Sequence, residues 1–240
     1  MTVLAPQPVS LTWRAPRPGE QFYNAAGTYN WVVPQGVYNV RVTLIGGGGG
    51  AGSYGSWTTG STQDGNPISS SAGGGGGGGA GALVQKTVPV SVGDTISVIV
   101  GAGGVPVDYV HLTWGKNTDG NAGQASSFGA SISASGGQGG GGAYAQYRVS
   151  APNTGKGGIG GVGAIASGGD LNTSGQNGND GAHHSTVGLS YIHADGGAGG
   201  SGHLFRRDTY GTGGAGYPKT TAPEAQEPGI GGCCLIEWGV

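Results

Sequence analysis

The chain has 240 residues, 59 of them glycine, and only 9% are charged, with Lys and Arg numbering 10 against 12 Asp and Glu for a net charge of −2. This balance excludes a nucleic-acid surface, which needs a positive patch to exploit counterion release; the largest basic cluster is Arg206–Arg207. It also excludes insertion into a membrane through a helix, because no stretch is long and apolar enough. Glycine at about three times its usual share suggests a disordered, low-complexity chain. Against that, apolar residues reach 35% and are grouped in compact blocks of strand character.

Ordering so much glycine is expensive. At about 0.5–1 kcal/mol more than alanine per residue, the upper bound for the whole chain is on the order of 30–60 kcal/mol. The fold must gain something from glycine itself, either close approach of main chains or oligomerisation.

In chain order, residues 1–20 are punctuated by Pro6, Pro8, Pro16 and Pro18 and predict an extended arm. Leu4, Val9, Leu11 and Trp13 are its apolar points, candidates for attachment to a partner. The start MTVLAPQPVS has no basic, apolar and cleavage regions in series, so no secretory signal is expected. Residues 21–240 form the main domain. Phe22-Tyr23, a turn at Asn24–Gly27 and the alternating Tyr29–Val33 predict a first strand pair. Val37–Ile45 alternates again, with Val40, Val42 and Leu44 on one face. Ala82–Val90 and Thr95–Val100, joined at Val92-Gly93-Asp94, predict a second hairpin-like unit. Ala125–Ser135 reads as a short strand pair, and Gly231–Trp238 as a closing strand. Cys233 and Cys234 are adjacent; a disulfide between neighbours is strained, so both are read as free thiols. Glycine and proline break every candidate helix, and the prediction is all-β.

Between the strands lie runs of glycine: 46–52, 73–81, 101–104, 136–142, 155–163, 196–202 and 211–216. Several read Gly-Gly-X, as in Gly157-Gly158-Ile159-Gly160-Gly161-Val162. A period of three is that of an extended helix with no internal hydrogen bonds. Such helices, of the polyglycine II type, pack side by side through backbone bonds. So many comparable runs favour a packed array over flexible linkers.

Aromatic and histidine residues interrupt this scaffold. Tyr54 and Trp57, then Tyr109, His111 and Trp114, then His183, His184 and Tyr191, then His203, Phe205, Arg206, Arg207 and Tyr210 are the candidate recognition residues. Exposed aromatics suit sugar rings and apolar protein loops; the competing reading is that each one plugs the core. The sequence gives no catalytic signature. No serine is singled out by a nucleophile elbow, the acids are scattered, and no Gly-Lys-Ser/Thr follows a glycine run. The His183, His184, Asp180, His193 and Asp195 group has no fixed frame for a metal. The expectation is therefore no enzyme, no metal and no cofactor.

Tyr29–Val37 followed by Val40–Gly50, then Val88–Gly104, Ala125–Gly137 and Gly231–Trp238 resemble, in order, the segments of the glycine-rich domain of bacteriophage tail and tail-fibre proteins. That resemblance covers most of 22–240. It implies a β-sandwich-like body with glycine-rich connections, in a virion protein of the phage tail. The implied role is host-surface recognition and attachment, with a cell-surface protein or glycan and other tail or fibre proteins as partners. The alternative is a purely structural tail, collar or decoration component that binds only virion proteins. Fibre proteins are often trimeric, so a homo-oligomer is expected, although no coiled-coil heptad is present.

Overall fold

The computed structural model of the chain describes residues 18–56, 72–107, 115–116, 118–145, 153–155, 158–182, 184–186, 197–215 and 227–239. All regular elements there are strands, as the sequence predicts. They are, in chain order, β1 (Gly19–Tyr23), β2 (Gly27–Val32), β3 (Asn39–Ile45), β4 (Gly55–Ser56), β5 (Ala72–Gly73) and β6 (Leu83–Pro89). Next come β7 (Thr95–Val100), β8 (Gly115–Lys116), β9 (Ser126–Phe128), β10 (Ile132–Ala134), β11 (Tyr144–Ala145) and β12 (Asn153–Gly155). The last are β13 (Leu171–Thr173), β14 (His184–Thr186), β15 (His203–Phe205), β16 (Asp208–Tyr210) and β17 (Cys233–Trp238).

Two antiparallel sheets form a sandwich. One has the order β1-β17-β3-β6-β13 and the other β10-β9-β7-β2. The period-two alternation of β3 turns Val40, Val42 and Leu44 inward, where they join Val84, Val88, Cys234 and Ile236 of the same sheet. Facing them are Trp31, Val98, Val100, Phe128 and Ile132 of the second sheet. Trp31 packs between Phe128 and Trp238, with ring centroids 5.9 Å from each. Adjacent residues Cys233 and Cys234 face opposite sides of their sheet, and both thiols are free and buried. Burial pushes the Cys233 thiol up to about 12 and that of Cys234 higher still, so both are protonated packing groups.

Two expectations need correction. The strand pair expected from 22–33 is not a hairpin: β1 pairs with β17 and β2 with β7. The turn carries the chain from one sheet to the other, and Tyr23 and Tyr29 stack across it at 4.6 Å. Likewise β6 pairs with β3, and β7 with β2. In both places alternation is satisfied equally by pairing within a sheet or by facing across a core, and closing the sandwich decides. β1 begins at Gly19, within the last two residues of the span 1–20. There the Trp238 indole lies where a Cβ would sit.

The rest of the body is a glycine lattice. Ten extended segments build it: s1 (46–53), s2 (74–82), s3 (101–105), s4 (118–124), s5 (135–143), s6 (158–166), s7 (174–182), s8 (197–202), s9 (211–215) and s10 (227–232). Segment s1 shows the rule. Gly46, Gly49 and Gly52 donate their N–H to Ala82, Gly79 and Gly76 of s2 at 2.9, 2.8 and 2.9 Å. Gly47, Gly50 and Ser53 donate to s4, and Gly48 and Ala51 to s10. Its carbonyls accept from s3 at Gly48, from s5 at Gly47, Gly50 and Ser53, and from s9 at Gly49. Partners rotate with a period of three, as packed polyglycine II-type helices require. Segment s2 is surrounded in the same way by s1, s5, s6, s7, s8 and s9.

These two central segments are built on the two longest uninterrupted stretches of glycine, 46–50 and 73–79, and the coincidence has a steric cause. A Cβ at Gly49 would collide with the Gln138 carbonyl, and one at Gly78 with the Gly49 carbonyl. A segment enclosed on all sides has no direction in which a side chain larger than methyl or hydroxymethyl fits. The other eight form a ring around the pair in chain order, s3 through s10, each bonded to the next and s10 back to s3. Their outer side is open among the described residues, so they need glycine only where they face the central pair or a neighbour in the ring, as Gly160 faces the Gly178 carbonyl.

Candidate functional site

The lattice sorts the connections between its segments. Segments alternate in direction, so odd-numbered ones run away from the sandwich and even-numbered ones return. At the sheet end the links are the strands of the two sheets and one covering hairpin: β6 with β7, the β9–β10 hairpin, residues 167–173 with β13, and the β15–β16 hairpin. At the far end Ser53 bonds Thr118 and Ala143, Gly74 bonds Ala182 and Gly158, and Ala215 bonds Glu227. All five remaining connections, 54–73, 106–117, 144–157, 183–196 and 216–226, therefore start and finish at this one end.

Short ladders tie their bases together. The 54–73 connection is closed on itself by β4–β5. β8–β11 joins the 106–117 and 144–157 connections, and β12–β14 joins 144–157 to 183–196.

This divides the predicted recognition residues into two groups. Trp57, Tyr109, His111, Trp114, His183 and Tyr191 belong by position to the far-end connections and lie outside the described residues. His184 begins β14 there, while Tyr54, at the root of the first connection, is buried at 8% exposure. The attachment candidates Leu4, Val9, Leu11 and Trp13 also lie outside the described residues.

His203, Phe205, Arg206, Arg207 and Tyr210 are not at that end. They form the β15–β16 hairpin, which covers the outer face of the five-stranded sheet. Tyr210 is a core residue with Ile45 and Cys233, and Phe22 and Phe205 pack against it. The branch of the sequence reading in which an aromatic plugs the core is the one that holds for Tyr210. Arg206 and Arg207 adopt φ of 53° and 75°, the left-handed pair that a two-residue hairpin turn demands. Non-glycine residues there cost about 1–2 kcal/mol each. Arg206 offsets part of this by pairing with Glu20 and by placing its guanidinium 5.2 Å from the Phe22 ring centroid. The hairpin is thereby pinned to β1.

The half-buried His203 ring pins the hairpin's root to the central segment, with Nε2 3.0 Å from the Gly81 carbonyl. Burial lowers its pKa, and the bond to Gly81 opposes this in part. The unfolded chain then takes up the His203 proton before the folded one does. Stability is fully present above the ordinary histidine pKa of about 6.5 and declines as pH falls through it toward the folded value. Each tenfold difference in proton affinity is worth about 1.4 kcal/mol. His203→Gln, whose amide also reaches a carbonyl, is expected to flatten this segment of a melting-temperature against pH profile between pH 5 and 7. An unchanged profile refutes the assignment.

Two features escaped sequence reading. Segments s4 and s7 lie in stretches read as polar insertions, yet Gly120 and Gly123, and Gly175, Gly178 and Gly181, recur every third residue. Their glycines face inward, and the intervening polar residues face out. In s7 those residues do further work: Asp180, Asn177 and Ser174 accept the N–H groups of Gly160, Gly163 and Ala166 in s6 at 2.7, 2.8 and 3.2 Å. The period was the available signal. Ser126 had none. Among the described residues no group of three or more His, Cys, Asp and Glu side chains is placed to hold a metal.

No curated protein matches the chain. The model of the glycine-rich domain family matches residues 24–238, which takes in both sheets except β1 and every lattice segment, and the chain belongs to that family.

Proposed function

We propose that this chain is a virion protein of the phage tail-fibre or tail-tip type that contacts the host surface through its far-end connections. The carrying observation is polarity. The same five connections leave the lattice together at one end, whereas β1 starts opposite Trp238 at the outer end of the sandwich. There Pro18 abuts Gly239, so the first described residue lies at the other pole. Such a body holds its connections on a hydrogen-bonded base and leaves the opposite pole for attachment. The recognition set then narrows to far-end residues, among them Trp57, Tyr109, His111, Trp114 and Tyr191, with a cell-surface protein or glycan as ligand.

The test replaces 57–71 and 108–114, which carry Trp57, Tyr109, His111 and Trp114, with Gly/Ser linkers of equal length. The variant is expected to keep the native melting temperature, because no described lattice bond or strand ladder involves these residues. It is expected to lose at least tenfold in binding to bacterial cells and in competition with phage adsorption. A native protein that neither binds cells nor competes removes the adhesin reading, and capture of virion proteins instead favours a structural tail component.

A further inference from the structure

The lattice has an open perimeter, and a perimeter built from backbone donors and acceptors invites a further segment, as the edge of a β-sheet does. We propose that the outer flank of s6 is a built stop that prevents the lattice of one molecule from joining that of a second copy. Segment s6 bonds s2, s5 and s7, and its outer side is open among the described residues. Two devices occupy that side, both with the lattice's own period of three.

The first is steric. Ile159, Val162 and Ile165 stand outward along the flank with exposures of 67%, 49% and 78%. Neighbouring segments elsewhere approach so closely that a Cβ at almost any inward glycine would overlap a carbonyl oxygen. A β-branched side chain every third residue holds an incoming segment well beyond that distance. The second is chemical. The N–H groups of Gly160, Gly163 and Ala166 are not turned to s2, which receives those of Gly158, Gly161 and Ala164. They are taken instead by Asp180, Asn177 and Ser174. Those donors are no longer offered to a newcomer. The same polar capping recurs where Asp119 accepts the N–H of Gly142 at 2.8 Å.

Two variants test the stop. Replacing Ile159, Val162 and Ile165 with glycine, together with Asp180→Ala, Asn177→Ala and Ser174→Ala, opens both devices. Its weight-average mass in sedimentation velocity is expected to at least double relative to the native protein as concentration rises. A folded variant whose mass stays native overturns the proposal. The second variant carries Ile159→Ser, Val162→Ser and Ile165→Ser, which removes the apolar surface but keeps every Cβ. It changes only exposed side chains, so it remains informative if the first fails to fold. Its mass is expected to equal that of the native protein. A fall in mass would show that the stripe is an association surface and not a stop, and would overturn the proposal.

Discussion

Gly49→Ala is expected to leave the protein unfolded or insoluble, while Gly231→Ala melts at or slightly above the native temperature. Both positions lie in lattice segments, and helix or strand propensity does not distinguish them. At Gly49 a methyl group would overlap the Gln138 carbonyl, which itself accepts the Gly79 N–H at 2.8 Å. The neighbour is backbone held from several sides, so it cannot give way as a side-chain end would. Overpacking of this kind costs about 3 kcal/mol or more, a large part of a typical stability of about 5–15 kcal/mol. At Gly231 the nearest atom to a new methyl is the Gly101 carbonyl oxygen at 3.5 Å, an ordinary contact. Alanine there restricts the unfolded chain and contributes about 0.4–1 kcal/mol. Gly232, one residue on, faces the Ile45 carbonyl and behaves like Gly49. Chemical denaturation of the three variants measures this. Equal effects at 231 and 232 would contradict the lattice register.

The second large effect is expected at Ser126. Its hydroxyl is fully buried, donates to the Ile45 carbonyl at 2.6 Å and accepts the Gly101 N–H at 3.0 Å. Ile45 ends β3, where s1 begins, and Gly101 follows β7, where s3 begins. The serine joins the sandwich to the lattice at both junctions. Ser126→Ala leaves a buried donor and a buried acceptor unpaired at about 1–3 kcal/mol each, so a loss of roughly 2–6 kcal/mol is expected in urea unfolding. Ser126→Thr restores the hydroxyl but adds a methyl in a filled site. Recovery of part of the stability would separate the hydrogen bonds from the packing. A loss below about 0.5 kcal/mol for Ser126→Ala would mean that water replaces the hydroxyl.

The hairpin residues show where a sequence pattern misleads. His203, Phe205, Arg206, Arg207 and Tyr210 sit in a polar, aromatic stretch that matches the far-end connections in composition. What separates them is only the parity of the lattice segment that precedes them. The 203–210 stretch follows an inbound segment, s8, and so returns to the sheets. The next connection, 216–226, follows an outbound one. Parity cannot be counted from sequence unless s4 and s7 are recognised, and their glycines are too sparse to look like runs.

The sequence by itself determined the class of fold. Alternation over Val40–Ile45 and Thr95–Val100 dictates half-buried strands, glycine and proline forbid helices, and the period of three in the glycine runs dictates extended segments that can bond only to one another. It also permits the centre of the lattice: Gly46–Ser53 and Gly74–Ala82 lack any large side chain over their whole length, as enclosure by six neighbours demands, although the shorter perimeter segment s8 lacks one too. Tertiary structure alone decided which strands pair and which face each other, since alternation is the same in both arrangements. It alone decided that five connections share one pole. That outcome depends on every segment reversing direction around a common pair, a condition set by long-range backbone hydrogen bonds that leave no trace in any single stretch of residues.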